Sequence, residues 1–104
     1  MIKVKYFKNN DSVECLEVKG HANFAEKGSD IVCSAVSAIT IGGLNALTEI
    51  KKYLYKIEEG YVFIDLNKYD NHYDKIVLNT MLIQLMSIEE SYPKYLKIEE
   101  IKGW

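Results

Sequence analysis

His21 and Cys33 are the residues whose types and spacing can do covalent chemistry. The histidine follows Gly20 at the end of a predicted strand, and the cysteine falls in the first turn of a predicted helix. A loop bounded by Gly20 and Gly28 lies between them. A thiol at a helix start meets unpaired N–H groups and the positive end of the macrodipole, and both favour thiolate. A nearby imidazole can take the thiol proton and later return it to a leaving amine. The N–H groups of the same helix start are candidates for holding an oxyanion. The chemistry these types allow is acyl transfer through a thiolate.

Two more residues belong to the pattern. Ser29 or Asp30 offers the helix N-cap; as the cap, Asp30 would bond near residues 32–33 and fix the turn, and alternatively it orients His21, as the third member of a triad does. An acid beside a thiolate raises the thiol pKa, so one of those tasks has to occupy it. Ser37 lies four residues after Cys33 on the same helix face. It can bond the catalytic groups or the substrate, or back-bond to the carbonyl of residue 33. The plainer reading also stands: a cysteine in an apolar run is a small hydrophobe, and a single histidine is a satisfied polar residue. Phe24, in the loop, is either a wall for an apolar substrate or simple packing of the loop.

The remaining candidates are structural. Cys15 lies mid-strand, away from any histidine in sequence. His72 falls in the first turn of the second predicted helix, where positive charge is disfavoured, and reads as a solvated surface residue. Cys15, His21, Cys33 and His72 lack the short paired spacing of a zinc site, so no metal or other cofactor is expected.

Composition limits the partners. The formal net charge is −2 and every one of the 13 cationic side chains is Lys. Without Arg the chain lacks the usual bidentate reader of phosphate and guanine, so direct nucleic-acid binding is not expected. Lys3, Lys5 and Lys8 read as the solvated face of a strand. The longest nearly apolar run, 76–86, is too short to span a bilayer. Residues 1–8 have no apolar core of signal-peptide type, which predicts a cytoplasmic address and free thiols.

The elements that must position the pair follow from periodicity. Residues 2–8 alternate and read as a half-buried strand, with a turn at 9–12 and a second strand over 13–19. Residues 31–54 read as one long helix, because the run is too long for a strand despite many β-branched residues. Gly42-Gly43 costs that helix about 2 kcal/mol, which implies close approach of another backbone or a kink. Glu58-Glu59-Gly60 is a hairpin turn before a strand over 61–66, and Ile57 belongs to a short strand before it. Residues 70–90 recur at helical spacing, with Asp70 or Asn71 as cap, and Pro93 precedes a final strand over 95–101. The order ββα(β)βαβ predicts one α+β domain over 1–104. It is a small sandwich with two long helices packed on a mostly antiparallel sheet.

Gly20-His21-Ala22, then Gly28 and Asp30-Ile31-Val32-Cys33, with Ser37 four residues on, resembles the signature of the ribosomal-processing cysteine protease family (Prp). The resemblance implies a cytosolic, homodimeric cysteine endopeptidase that removes the N-terminal extension of the bacterial large-subunit ribosomal protein L-twenty-seven. Cys33 maps onto the family's nucleophile and His21 onto its general base, with Asp30 and Ser37 supporting. Residues 20–29, including Gly20, Ala22, Phe24 and Gly28, would form a mobile, substrate-binding cover. Ser34 stands where many relatives carry Ala, and Glu26-Lys27 charges the loop tip. The competing readings are a non-catalytic ribosome-associated module for peptide or RNA, and a structural homodimer in which Gly42-Gly43 lets helices approach closely.

Overall fold

In the computed structural model, residues 1–26 and 30–103 are described. The alternation near the N-terminus sets the two faces of the sheet. Strand β1 (Ile2–Asn9) buries Ile2, Val4 and Tyr6 and sends Lys3 and Lys5 to solvent. Strand β2 (Ser12–Lys19) returns antiparallel, with Val18 opposite Val4 and Leu16 opposite Tyr6. Asn10 and Asp11 make the turn at φ 54° and 64°. Asn and Asp tolerate that region, and it matches the twist of a two-residue hairpin.

A second hairpin joins β3 (Leu54–Glu58) to β4 (Tyr61–Asp65), and β5 (Leu96–Glu100) closes the chain. The sheet order is β3-β4-β2-β1-β5. Only the β1–β5 pair is parallel. Helices α1 (Ile31–Ala46) and α2 (His72–Ser91) pack on this mixed sheet. Val32, Val36, Thr40 and Leu44 recur every fourth residue as the buried stripe of α1. The apolar members of that stripe meet Leu78, Met81, Leu82 and Leu85 of α2 and the inner sheet face in one continuous core.

The expected two-helix α+β sandwich is therefore the observed fold, with one correction. The helix read over 31–54 stops at Ala46, and a 3₁₀ turn (Ile50–Lys52) and β3 occupy the rest. The reason lies on the other helix. Asp74, fully buried at the start of α2, accepts from Thr48 N and Oγ1, from Glu49 N, and from Tyr53 Oη at 2.5 Å. These bonds take the corner's amides away from a continuing helix. Burial pushes the Asp74 carboxyl up, but the bonds from Tyr53, Thr48 and Glu49 outweigh it and hold it below the usual carboxylate range. Helix α2 begins at His72, just inside its expected start, with Asn71 capping Asp74 N at 2.9 Å.

The glycine pair also resolves. The Met81 side chain occupies the space a side chain at residue 43 would need, whereas nothing lies within 4 Å of the corresponding point at Gly42. The close neighbour is thus a side chain of α2, not a backbone. Cys15 is buried on strand β2, opposite Phe7 and Asp65.

Candidate active site

The site starts where β2 ends. The Gly20 N–H donates to the Gly60 carbonyl at 2.8 Å, so the chain leaves the sheet tied to the β3–β4 turn. Gly20 has φ +101°, and a Cβ there would stand 2.6 Å from the Met1 carbonyl oxygen, so glycine is required. His21 follows, exposed, and then Ala22, buried. The Ala22 N–H donates to Cys33 Sγ at 3.3 Å.

Asp30 binds the two halves of the site together. Its Oδ1 accepts from Cys33 N and its Oδ2 from Phe24 N, both at 2.9 Å. The Cys33 N–H bond foremost, with those from Phe24 and Ala25, holds its carboxyl below the usual range against the opposing effect of burial. Of the two tasks open to Asp30, the structure has it capping α1; among the described residues it makes no bond to His21. The cap also clamps the loop that carries His21. In this state the N–H groups of Cys33 and Ser34 are both engaged by Asp30, through its side chain and its carbonyl.

His21, Asp30, Cys33 and Ser37 line one cleft of about 520 Å³ between α1 and the β2–β4 side of the sheet. Ile2, Val18, Val36 and Val62 supply apolar lining, and Glu58, Glu59 and Gly60 of the β3–β4 turn line it as well. Cys33 is half-buried, and among the described residues no hydrogen bond joins it to the imidazole. Ser37 is exposed in the cleft, and it is Thr40, not Ser37, that back-bonds to the helix, through Oγ1 to the Val36 carbonyl. The Phe24 ring meets Tyr92 and Tyr95 edge-on, at 5.6 and 5.1 Å between centroids. Packing of the loop onto the body is its observed role. Gly28 lies outside the described residues.

His72 is exposed at the start of α2 and Cys15 is buried in the sheet, both away from the cleft lining. Burial, with the Asp65 carboxylate beside it, pushes the Cys15 thiol up to about 12. Sequence reasoning missed the β3–β4 turn as a cleft wall. It also missed the Ala22 N–H, a main-chain group that no side-chain pattern can announce.

A cleft that holds a half-buried thiol at a helix start, an amide aimed at its sulfur and an imidazole on the same lining defines a cysteine-dependent hydrolase. The model of the cysteine protease Prp family matches residues 1–97. The ribosomal processing cysteine protease Prp of Mycoplasma genitalium is 38% identical over 101 residues, covering 96% of each chain. That of Bacillus subtilis is 30% identical over 107 residues, covering 94% of this chain and 96% of its own. A crystal structure of the essential ribosomal processing protease Prp from S. aureus, with a covalently linked product peptide, superposes with a TM-score of 0.85. It is 30% identical and covers 97% of this chain and 100% of its own. The chain belongs to the Prp family of cysteine proteases.

Proposed function

We propose that this protein is a cytoplasmic, homodimeric endopeptidase that removes the N-terminal extension of the large-subunit ribosomal protein L-twenty-seven, with Cys33 as nucleophile and His21 as general base. The observation that carries the catalytic assignment is the 3.3 Å approach of the Ala22 N–H to Cys33 Sγ, in the cleft that His21 also lines. With substrate in place, His21 takes the Cys33 thiol proton as the sulfur attacks the scissile carbonyl. The Ala22 N–H, already beside the sulfur, is a candidate donor to the oxyanion that grows there. His21 protonates the departing amine, then takes a proton from water to release the acyl-enzyme. The imidazole is not bonded to the thiol in this state, so substrate filling the cleft must bring the two within reach. Ser37, exposed on the cleft wall, is placed to bond the bound peptide.

The apolar cleft lining suits an apolar segment ahead of the scissile bond. The dimer reading is supported by an apolar groove between α1 and α2, where Tyr73 and Ile76 are 58% and 53% exposed. No described helix is long and apolar enough to cross a membrane. The test is incubation of the purified, reduced protein with L-twenty-seven bearing its extension, followed by mass spectrometry. Cleavage at one site, abolished by Cys33→Ala and by His21→Ala in folded protein, is expected. An intact substrate after prolonged incubation overturns the substrate assignment.

A further inference from the structure

The β3–β4 turn has a task that the hairpin alone does not require. Gly60 has φ +71°, and a Cβ built on it would stand 2.7 Å from His21 Nε2 and 3.1 Å from Cε1. The imidazole therefore lies directly against the bare face of Gly60. Independently, the Gly60 carbonyl accepts the Gly20 N–H at 2.8 Å, which fixes the main chain one residue before His21. Gly60 thus holds the histidine at both ends: the carbonyl anchors its backbone approach, and the absent side chain makes room for its ring. Glu58 and Glu59 of the same turn line the cleft with His21 and Cys33, so this seat is part of the cleft wall.

We propose that Gly60 is a positioning residue for His21, its missing Cβ being what lets the imidazole rest inside the cleft. The inference rests on the reading of His21 as general base. A methyl group at residue 60 has to clear the ring to ordinary van der Waals contact, which displaces the imidazole by about 1 Å. The ring is the far end of an exposed, rotatable side chain, so it moves and the hairpin stays. Substrate draws the ring from this seat toward the thiol, so a seat displaced by that distance misplaces the base it delivers, at a loss on the order of 100-fold in rate.

Gly60→Ala and Gly60→Asn separate the seat from the turn. Both place a Cβ against the ring, but Asn tolerates the left-handed backbone that penalises Ala. Each variant is checked for folding by circular dichroism. Histidine side-chain NMR then reads the ring directly, with His72 as internal reference, and peptide cleavage gives kcat and KM. In Gly60→Asn the His21 ring resonances shift while those of His72 do not. Its kcat falls about 100-fold with KM changed less than about threefold, as for a misplaced general base. A folded Gly60→Asn protein with unmoved His21 resonances overturns the proposal, as does one with wild-type kcat. If wild-type protein cuts no peptide, the protease reading fails by itself, and the NMR comparison still decides whether Gly60 seats the ring.

Discussion

The amide nitrogen of Ala22 lies 3.3 Å from the sulfur of Cys33, and its residue directly follows His21 in the chain. The segment that carries His21 therefore also supplies an N–H dipole to the Cys33 sulfur. Its position is set by Asp30, whose carboxylate spans from Cys33 N to Phe24 N. Cys33 and His21 are held in register through one side chain, which among the described residues makes no bond to the imidazole.

Asp30→Asn tests that clamp and its pH dependence. The Asp30 carboxyl is held low in the fold, chiefly by the Cys33 N–H. A depressed carboxyl stabilises the fold above its unfolded pKa of about 3.9, and the contribution is lost as pH falls through the lower folded value. Wild-type protein should lose stability over that acid window. The Asp30→Asn variant should start less stable at pH 7 and show a shallower acid limb. Thermal melts from pH 2 to 7 check this.

The two thiols should differ sharply. Burial, reinforced by Asp65, keeps Cys15 protonated with a pKa pushed up to about 12, whereas Cys33 is half-buried in the cleft and faces an N–H donor. Brief iodoacetamide treatment at pH 7 should give one adduct, on Cys33, by peptide mass mapping. Cys15 should label only after urea unfolding. Cys15→Ala should retain full cleavage. Labelling of Cys15 at the Cys33 rate in native protein would contradict the assignment.

Phe24→Ala should loosen the site without removing any cleft wall. Its two edge-on contacts, with Tyr92 and Tyr95, are worth about 0.5–1.5 kcal/mol each. Hydrogen exchange at Ala22 and Phe24 should accelerate while α2 stays protected, and kcat should fall. If Phe24 instead gripped the substrate, KM alone would rise and exchange would be unchanged.

What the sequence reveals and what it hides divide by distance along the chain. The cap at Asp30 is visible because an N-cap and the amide it bonds are three residues apart, and the strands are visible because Lys3 and Lys5 alternate with Ile2, Val4 and Tyr6. The end of α1 is not, because Asp74 stops it from 26 residues away through Thr48 N. Glu58-Glu59-Gly60 is legible as a turn but not as a cleft wall. The order β3-β4-β2 brings it beside Gly20, and strand order is not written in local periodicity.

That hidden corner gives a direct stability test. The Tyr53 hydroxyl donates to buried Asp74 at 2.5 Å and is itself pushed to a higher pKa by burial and by that carboxylate. Tyr53→Phe removes one hydrogen bond to a charged group and leaves Asp74 its bonds from Thr48 and Glu49. It should cost about 1.5–3 kcal/mol in urea unfolding at unchanged m. Asp74→Ala should cost more, because it leaves the Thr48 and Glu49 amides without that acceptor. Equal stability of Tyr53→Phe and wild type would remove this corner as the reason α1 ends at Ala46.

The adjacent glycines of α1 should respond in opposite directions. The Met81 side chain fills the space beside Gly43, so Gly43→Ala overpacks the α1–α2 contact and should cost about 1–3 kcal/mol. Gly42 faces open space in the groove between the helices. Gly42→Ala therefore gains helix propensity without a clash and should stabilise the monomer by up to about 1 kcal/mol. Met81→Ala should relieve the Gly43→Ala penalty in a double-mutant cycle, because the two substitutions act on one contact. Urea midpoints at two protein concentrations complete the test. If α1 and α2 form the dimer face, Gly42→Ala should also weaken self-association, since its methyl projects into the groove a second copy would enter. A Gly42→Ala protein with unchanged association would move the dimer contact to another surface.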